Sequence, residues 1–182
     1  VIWDLSVFYA GVDDPAIQRD MDKLIQQADE FAAAYKGRVA GLSADELLAA
    51  VKTLEAIEDL GGRVGSFASL HYSTDTANPQ LGALVQKVTE FGAQIDQKTV
   101  FFNLEWNDTD DTIANKLLSD PKLAKYSHML EAGRRYKPYQ LSEVEEQLLS
   151  EKSVTGRSAW VRFFTQLTSA LRLDYDDQKL TL

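Results

Sequence analysis

The chain has 182 residues, 45% hydrophobic and 26% charged, a balance that supports one buried core and excludes a disordered or fibrous polymer. Lys and Arg number 19 against 28 Asp and Glu, a net charge of −9 that argues against nucleic acid or an anionic membrane surface as main partner. The absence of cysteine removes disulfides, thiolate metal sites and thiol nucleophiles, and no apolar run approaches the roughly 18–20 residues needed to span a bilayer. The opening Val1-Ile2-Trp3-Asp4 lacks the order of a signal peptide, so a soluble chain in a reducing, cytoplasmic compartment is expected.

A helical period dominates the chain from Ile17. Met21, Leu24, Ala28, Phe31 and Tyr35 follow at alternating spacings of three and four, which keeps them on one face. Asp14-Pro15 supplies the cap and first-turn proline, and Gly37 the stop. Ser43 to Glu46 forms a capping box for a second helix carrying Leu47, Val51, Leu54, Ile57 and Leu60, which the glycines Gly61-Gly62 are expected to end. A shorter helix from Arg63 to about His71 should follow. Asn78-Pro79 then opens one of the longest helices, with Leu81, Leu84, Val88, Phe91 and Ile95 leading to Phe101-Phe102.

Asn107 to Asp111 reads as a polar loop capping a helix through Leu118, and Asp120-Pro121 starts another reaching about Arg135. Lys137-Pro138 ends it, because a residue before proline is pushed out of the α region. A second capping box at Ser142 to Glu145 opens a helix whose expected inner face is Val144, Leu148 and Leu149. After Thr155-Gly156, the residues Trp160, Phe163, Phe164, Leu167 and Leu171 form the heaviest aromatic stripe, which is expected to be core rather than a ligand groove. Leu171, Leu173, Tyr175, Leu180 and Leu182 alternate with polar residues around Asp176-Asp177, so one C-terminal hairpin is the sole extended element. The sum is an all-α fold of antiparallel helical hairpins over residues 1–182, one domain without an internal linker.

The search for chemistry is mostly negative. His71 and His128 each lack the second His four residues away, and the Glu between, that a helical zinc hydrolase needs. Asp108, Asp110 and Asp111 open like a calcium loop, but Ile113 and Ser119 stand where the turn glycine and bidentate Glu are required; a capped helix start explains them better. Gly61 to Gly65 follows no strand and lacks the Gly-Lys-Ser/Thr ending of a phosphate loop. Glu143, Glu145, Glu146 and Glu151 read as a solvated helix face, and Arg134-Arg135-Tyr136-Lys137 as a helix C-terminal turn. No catalytic, cofactor-binding or metal-ligating residue is assigned.

Two segments carry more than pattern. Trp3-Asp4-Leu5-Ser6-Val7-Phe8-Tyr9, and the run from Leu141 through Ser142-Glu143-Val144-Glu145-Glu146-Gln147-Leu148-Leu149 to Thr155-Gly156-Arg157-Ser158-Ala159-Trp160, resemble the amino-terminal region of oligoendopeptidase F-type zinc metallopeptidases. Arg135-Tyr136-Lys137-Pro138-Tyr139-Gln140-Leu141-Ser142-Glu143 extends the second match. The resemblance implies a mainly helical enzyme with a deep channel, in which a His-Glu-x-x-His helix and a later Glu hold zinc and cleave short peptides. None of those motifs stands in this sequence, so no catalytic residue carries over.

The resemblance therefore implies the amino-terminal lobe of a larger peptidase, with zinc in a catalytic domain outside this chain. Both ends of the chain read as cut points. Whether to count the chain as an enzyme is left open: by this reading the parent is a zinc metalloendopeptidase and the fragment alone is inactive. Its partners would be short peptides, through the whole enzyme, and the catalytic domain of the same polypeptide. The alternative is a self-contained helical interaction or scaffold module without activity. Cutting such a lobe free is expected to let it self-associate through its C-terminal helix and tail.

Overall fold

Asp14, Ser43, Asn78 and Ser142 each begin a helix, because each side chain accepts backbone N–H groups that the first turn leaves without a partner. The computed structural model describes residues 4–175 and 178–180, and side-chain exposure through Asp174. Among these, α1 spans Pro15–Tyr35, α2 Ala44–Thr74, α3 Pro79–Asp108, α4 Asp111–Leu118, α5 Ser127–Arg134, α6 Glu143–Ser153 and α7 Ala159–Ala170. An antiparallel hairpin follows, β1 (Leu173–Tyr175) with β2 (Gln178–Leu180), in which Leu173 faces Leu180. The fold is all-α with one short hairpin, as the helical period implies. Trp3, Asp176, Asp177 and Leu182, on which parts of the sequence reading fall, lie outside the described residues.

The expected stripe of α1 is its buried face: Ile17, Met21, Leu24, Ala28 and Phe31. Gly37 takes φ +76°, a left-handed stop open to glycine, and its N–H donates to Glu105 Oε1 at 2.6 Å. Glu105 Oε2 also accepts from the Val39 N–H at 3.1 Å, so one α3 side chain fixes the end of α1. Lys87 donates to Gln18 and Lys98 to Asp29, both 69 positions apart. The register shows α1 and α3 running in the same direction, with α2 returning between them.

α2 does not stop at Gly61-Gly62. It continues to Thr74 and buries Val64, Phe67, Ala68 and Tyr72 in line with Ile57. A helix-interior glycine costs about 1 kcal/mol relative to alanine, whereas burying Phe67 alone returns about 1.5–3 kcal/mol. Tertiary burial wins over the local break. The amino-terminal segment is pinned to the same helix: Tyr9 is buried, its hydroxyl donates to Asp20 Oδ2 at 2.8 Å, and Arg63 lies 4.8 Å from its ring centroid while donating to the Phe8 carbonyl.

Two further boundaries differ from the sequence reading. Asn107 and Asp108 belong to α3 rather than to a loop, and Asn107 and Thr109 are buried. The segment after Asp120 is a 3₁₀ turn (Pro121–Leu123) and then α5, not one helix. Leu123, Tyr126 and Leu130 are all buried, and the Tyr126 hydroxyl donates to Glu55 Oε2 at 2.6 Å, with Lys125 on Glu55 Oε1 at 2.9 Å. These anchors to α2 set the segment's path more strongly than continuous helix propensity does. The Trp106 indole donates to the Leu130 carbonyl at 2.9 Å, which closes α5 onto α3.

Candidate functional site

The basic run is consumed inside the fold. Arg134, at the end of α5, donates to the carbonyls of Trp106 and Thr109, pairs with Asp111, and sits 5.3 Å from the Trp106 ring centroid. It thereby supplies donors to the last carbonyls of α3, which a helix C-terminus leaves unpaired. Arg135 pairs with Glu131 and Lys137 with Asp111. The acidic trio is equally structural: Asp110 caps α4 and Asp108 accepts from Gln140. The Thr112 N–H holds the Asp110 carboxyl below its usual range.

His71 lies on α2 with its ring 5.3 Å from that of Phe67 and its Nδ1 buried without a partner, whereas His128 is exposed on α5. Among the described residues no group of three or more His, Cys, Asp or Glu could hold a metal ion. The donor set present here does not fit the zinc that the family resemblance implies. Glu143 and Glu145 also have local work. Glu145 completes the α6 capping box, and Glu143 pairs at 2.5 Å with Lys36, the C-cap of α1.

What remains without a structural explanation is the outer layer. From Gln140 onward the chain runs back along α3: Gln140 donates to Asp108, Gln147 to the Gln97 carbonyl at 3.2 Å, and Arg162 to Gln86. Between α6 and α7 the backbone turns through Val154–Ser158, with Gly156 at φ −92° and ψ −106°. α6 and α7 form an arm whose polar side is turned inward. α3 offers a polar surface there: the Gln86 side chain accepts from Arg162, Gln147 reaches the Gln97 backbone carbonyl, and Glu90, Gln94 and Gln97 face the start of the Val154–Ser158 turn.

The apolar side of the arm consequently faces out. Val144 is 75% exposed, Trp160 70% and Phe164 65%, and Leu148, Leu149, Phe163, Leu167 and Leu171 are exposed with them. This corrects both sequence expectations, the inner face on α6 and the buried aromatic stripe on α7. Trp160 and Phe163 pack edge to face at 6.0 Å, against each other rather than into the core. Exposed apolar faces of this extent are uncommon and are in general a mark of interaction surfaces.

A second opening lies between α2 and α3, lined by Leu54, Ile57, Glu58, Gly65, Val88 and Asp96 among others. Sequence reasoning missed it. Its available signal was the recurrence of small residues at 61, 65 and 68 on α2, where a helix break was read instead.

Comparison with known proteins accounts for the arm's sequence. The family model described as Oligopeptidase F matches residues 105–172, the stretch that includes Arg135–Glu143 and Leu141–Trp160. The chain is similar to Oligopeptidase PepF of Bacillus subtilis (strain 168), with 32% identity over 127 residues, 69% of this chain and 19% of that protein. A solved structure from Chlamydophila abortus, provisionally described as a peptidase, superposes on 99% of this chain and 31% of its own with a TM-score of 0.63 at 19% identity, a likeness of fold. The chain thus spans about a fifth of the curated relative's length. On the family-model match and the likeness to PepF, the chain belongs to the amino-terminal region of the oligoendopeptidase F family.

Proposed function

We propose that residues 1–182 are a single helical lobe of a larger cytoplasmic zinc oligopeptidase, and that this lobe walls a channel admitting short peptides while supplying no catalytic group. The catalytic domain, with its zinc, its peptide substrates and its chemistry, belongs to the remainder of the polypeptide. One observation carries the reading: the arm of α6 and α7 turns Trp160, Phe163, Phe164 and Leu167 outward, on the segment matched to Oligopeptidase F. Burying such a face is worth about 25 cal/mol per Å², so a neighbouring domain of the same chain gains by covering it. Without that neighbour the face has a second use, pairing with another copy, and the isolated lobe self-associates despite its net charge of −9.

The test compares the natural full-length polypeptide with residues 1–182 alone. The full polypeptide should cleave a quenched fluorescent peptide in a chelator-sensitive way, and the lobe alone should cleave none and retain no stoichiometric zinc after desalting. The double change Trp160→Ser and Phe164→Ser should lower the thermal midpoint of the full polypeptide and leave that of the lobe unchanged at concentrations too low for self-association. Equal effects on both would place the face in the lobe's own fold. A full polypeptide without peptidase activity would instead favour a helical scaffold module.

A further inference from the structure

α2 and α3 leave between them a groove of about 390 Å³, within the size range of small-ligand sites. Its walls are apolar, from Ile57, Val64, Val88 and Phe91, and it stays open because Gly61, Gly65 and Gly92 contribute no side chain. These glycines are not required for close helix packing: a Cβ at any of the three would meet nothing within 4 Å. Each is helix-interior and costs stability relative to alanine, so the fold gives up stability and receives empty space in return.

The charged side chains of the groove share one sign, beside the neutral hydroxyls of Ser69, Thr89 and Thr99. Glu58 and Asp96 stand at its rim, and neither has an ion-pair partner among the described residues. No Lys or Arg lines the groove. The Thr89 and Thr99 hydroxyls donate to the Val85 and Ile95 carbonyls at 2.8 and 3.1 Å, which leaves their oxygens as acceptors only. Partial desolvation against the apolar wall pushes the rim carboxyl of Asp96 above its usual range.

We propose that the α2–α3 groove binds a small organic cation, a primary ammonium on a short apolar body, with Glu58 and Asp96 receiving the ammonium and the glycine-lined wall receiving the body. The ammonium supplies the positive charge that the groove lacks, and the apolar body displaces water from Ile57, Val88 and Phe91. The site does not rest on the peptidase reading, since it uses neither the arm nor the missing domain.

Isothermal titration calorimetry of the natural full-length polypeptide tests this with three probes: isopentylammonium, L-leucinamide and the neutral isopentanol. Both amines should bind, and isopentanol about tenfold more weakly. Glu58→Gln with Asp96→Asn should reduce the amines to the level of the alcohol. Gly65→Leu, which fills the groove, should abolish binding of all three with the helical circular dichroism intact. Binding of leucinamide alone would identify the ammonium as the amino terminus of a peptide residue, and binding of both amines as a free amine site. Equal binding of alcohol and amine, no heat with either amine, or amine binding untouched by the carboxylate changes would each overturn the proposal. Should Gly65→Leu fail to fold, the exposed carboxylate pair still decides the matter.

Discussion

The α1–α3 core and the α6–α7 arm are built from the same kind of sequence and end up inside out relative to each other. In α1 the three-four stripe of Ile17, Met21, Leu24 and Phe31 is buried; in α7 the equally regular stripe of Trp160, Phe163, Phe164 and Leu167 is exposed. The difference lies in the surface each helix meets. α1 meets the aromatic end of α3, where Phe31 lies 5.4 Å from Phe101 and 5.7 Å from Phe102, whereas the arm meets the glutamine-bearing side of the same helix. A periodic apolar stripe therefore guarantees a face that seeks burial, but not burial within the same domain.

The comparison breaks most visibly under large-to-small substitution. Phe31→Ala or Trp106→Ala should destabilise the chain by about 3–5 kcal/mol in urea unfolding, because each removes a fully buried ring at a packed junction of helices. Arg134→Met comes next, at about 1–3 kcal/mol, since it keeps the stem over Trp106 but removes the side-chain donor of the Thr109 carbonyl and leaves the Trp106 carbonyl with the Thr109 N–H alone. If Arg134→Met were silent in the same assay, α3 would not depend on α5 for its C-terminal cap.

The caps sharpen the comparison at smaller scale. Ser43→Ala, at the start of core helix α2, should cost about 1 kcal/mol, while Ser142→Ala, at the start of the arm, should fray α6 and leave the global midpoint unmoved. Hydrogen exchange on the α6 amides separates the two outcomes. Acid titration follows the same logic. The Ser43 hydroxyl and N–H hold Glu46 below its ordinary 4.5, and the Ala10 and Ala16 N–H groups hold Asp14 below its ordinary 3.8. Folded-state values below the unfolded ones mean that this stabilisation is full above those ordinary values and is lost as the pH falls through the lower, folded-state ones. Unfolding midpoints should decline below about pH 4, and Ser43→Ala should make the decline shallower. The smallest effect belongs to Trp160→Ser with Phe164→Ser, which should shift the stability of residues 1–182 by less than about 0.5 kcal/mol while suppressing their concentration-dependent light scattering.

Helix starts were legible because capping is local: Asp14, Ser43, Asn78, Asp110 and Ser142 each act within three residues of themselves. Helix stops were legible only where a backbone requirement marks them, as at Gly37. At Gly61-Gly62 the stop signal was outweighed by Val64 and Phe67, partners whose burial depends on α1 and α3 being in place. Leu123 and Tyr126 likewise divide the segment after Asp120 because Glu55, some 70 positions earlier, holds the Tyr126 hydroxyl. The α2–α3 groove was illegible because its carboxylates, Glu58 and Asp96, share a space only after α2 folds back on α3.

The sequence by itself determined the helical class, the capped starts, the apolar stripe of each helix and the segments that carry the family likeness, since all of these depend on residues within a turn or two of one another. The tertiary structure alone decided which stripes are covered. That outcome depends on the polarity of the surface each helix meets, and for the arm the surface was the polar side of α3, where the Gln97 backbone carbonyl accepts from Gln147 and the Gln86 side chain from Arg162, while Trp160 and Phe164 face outward.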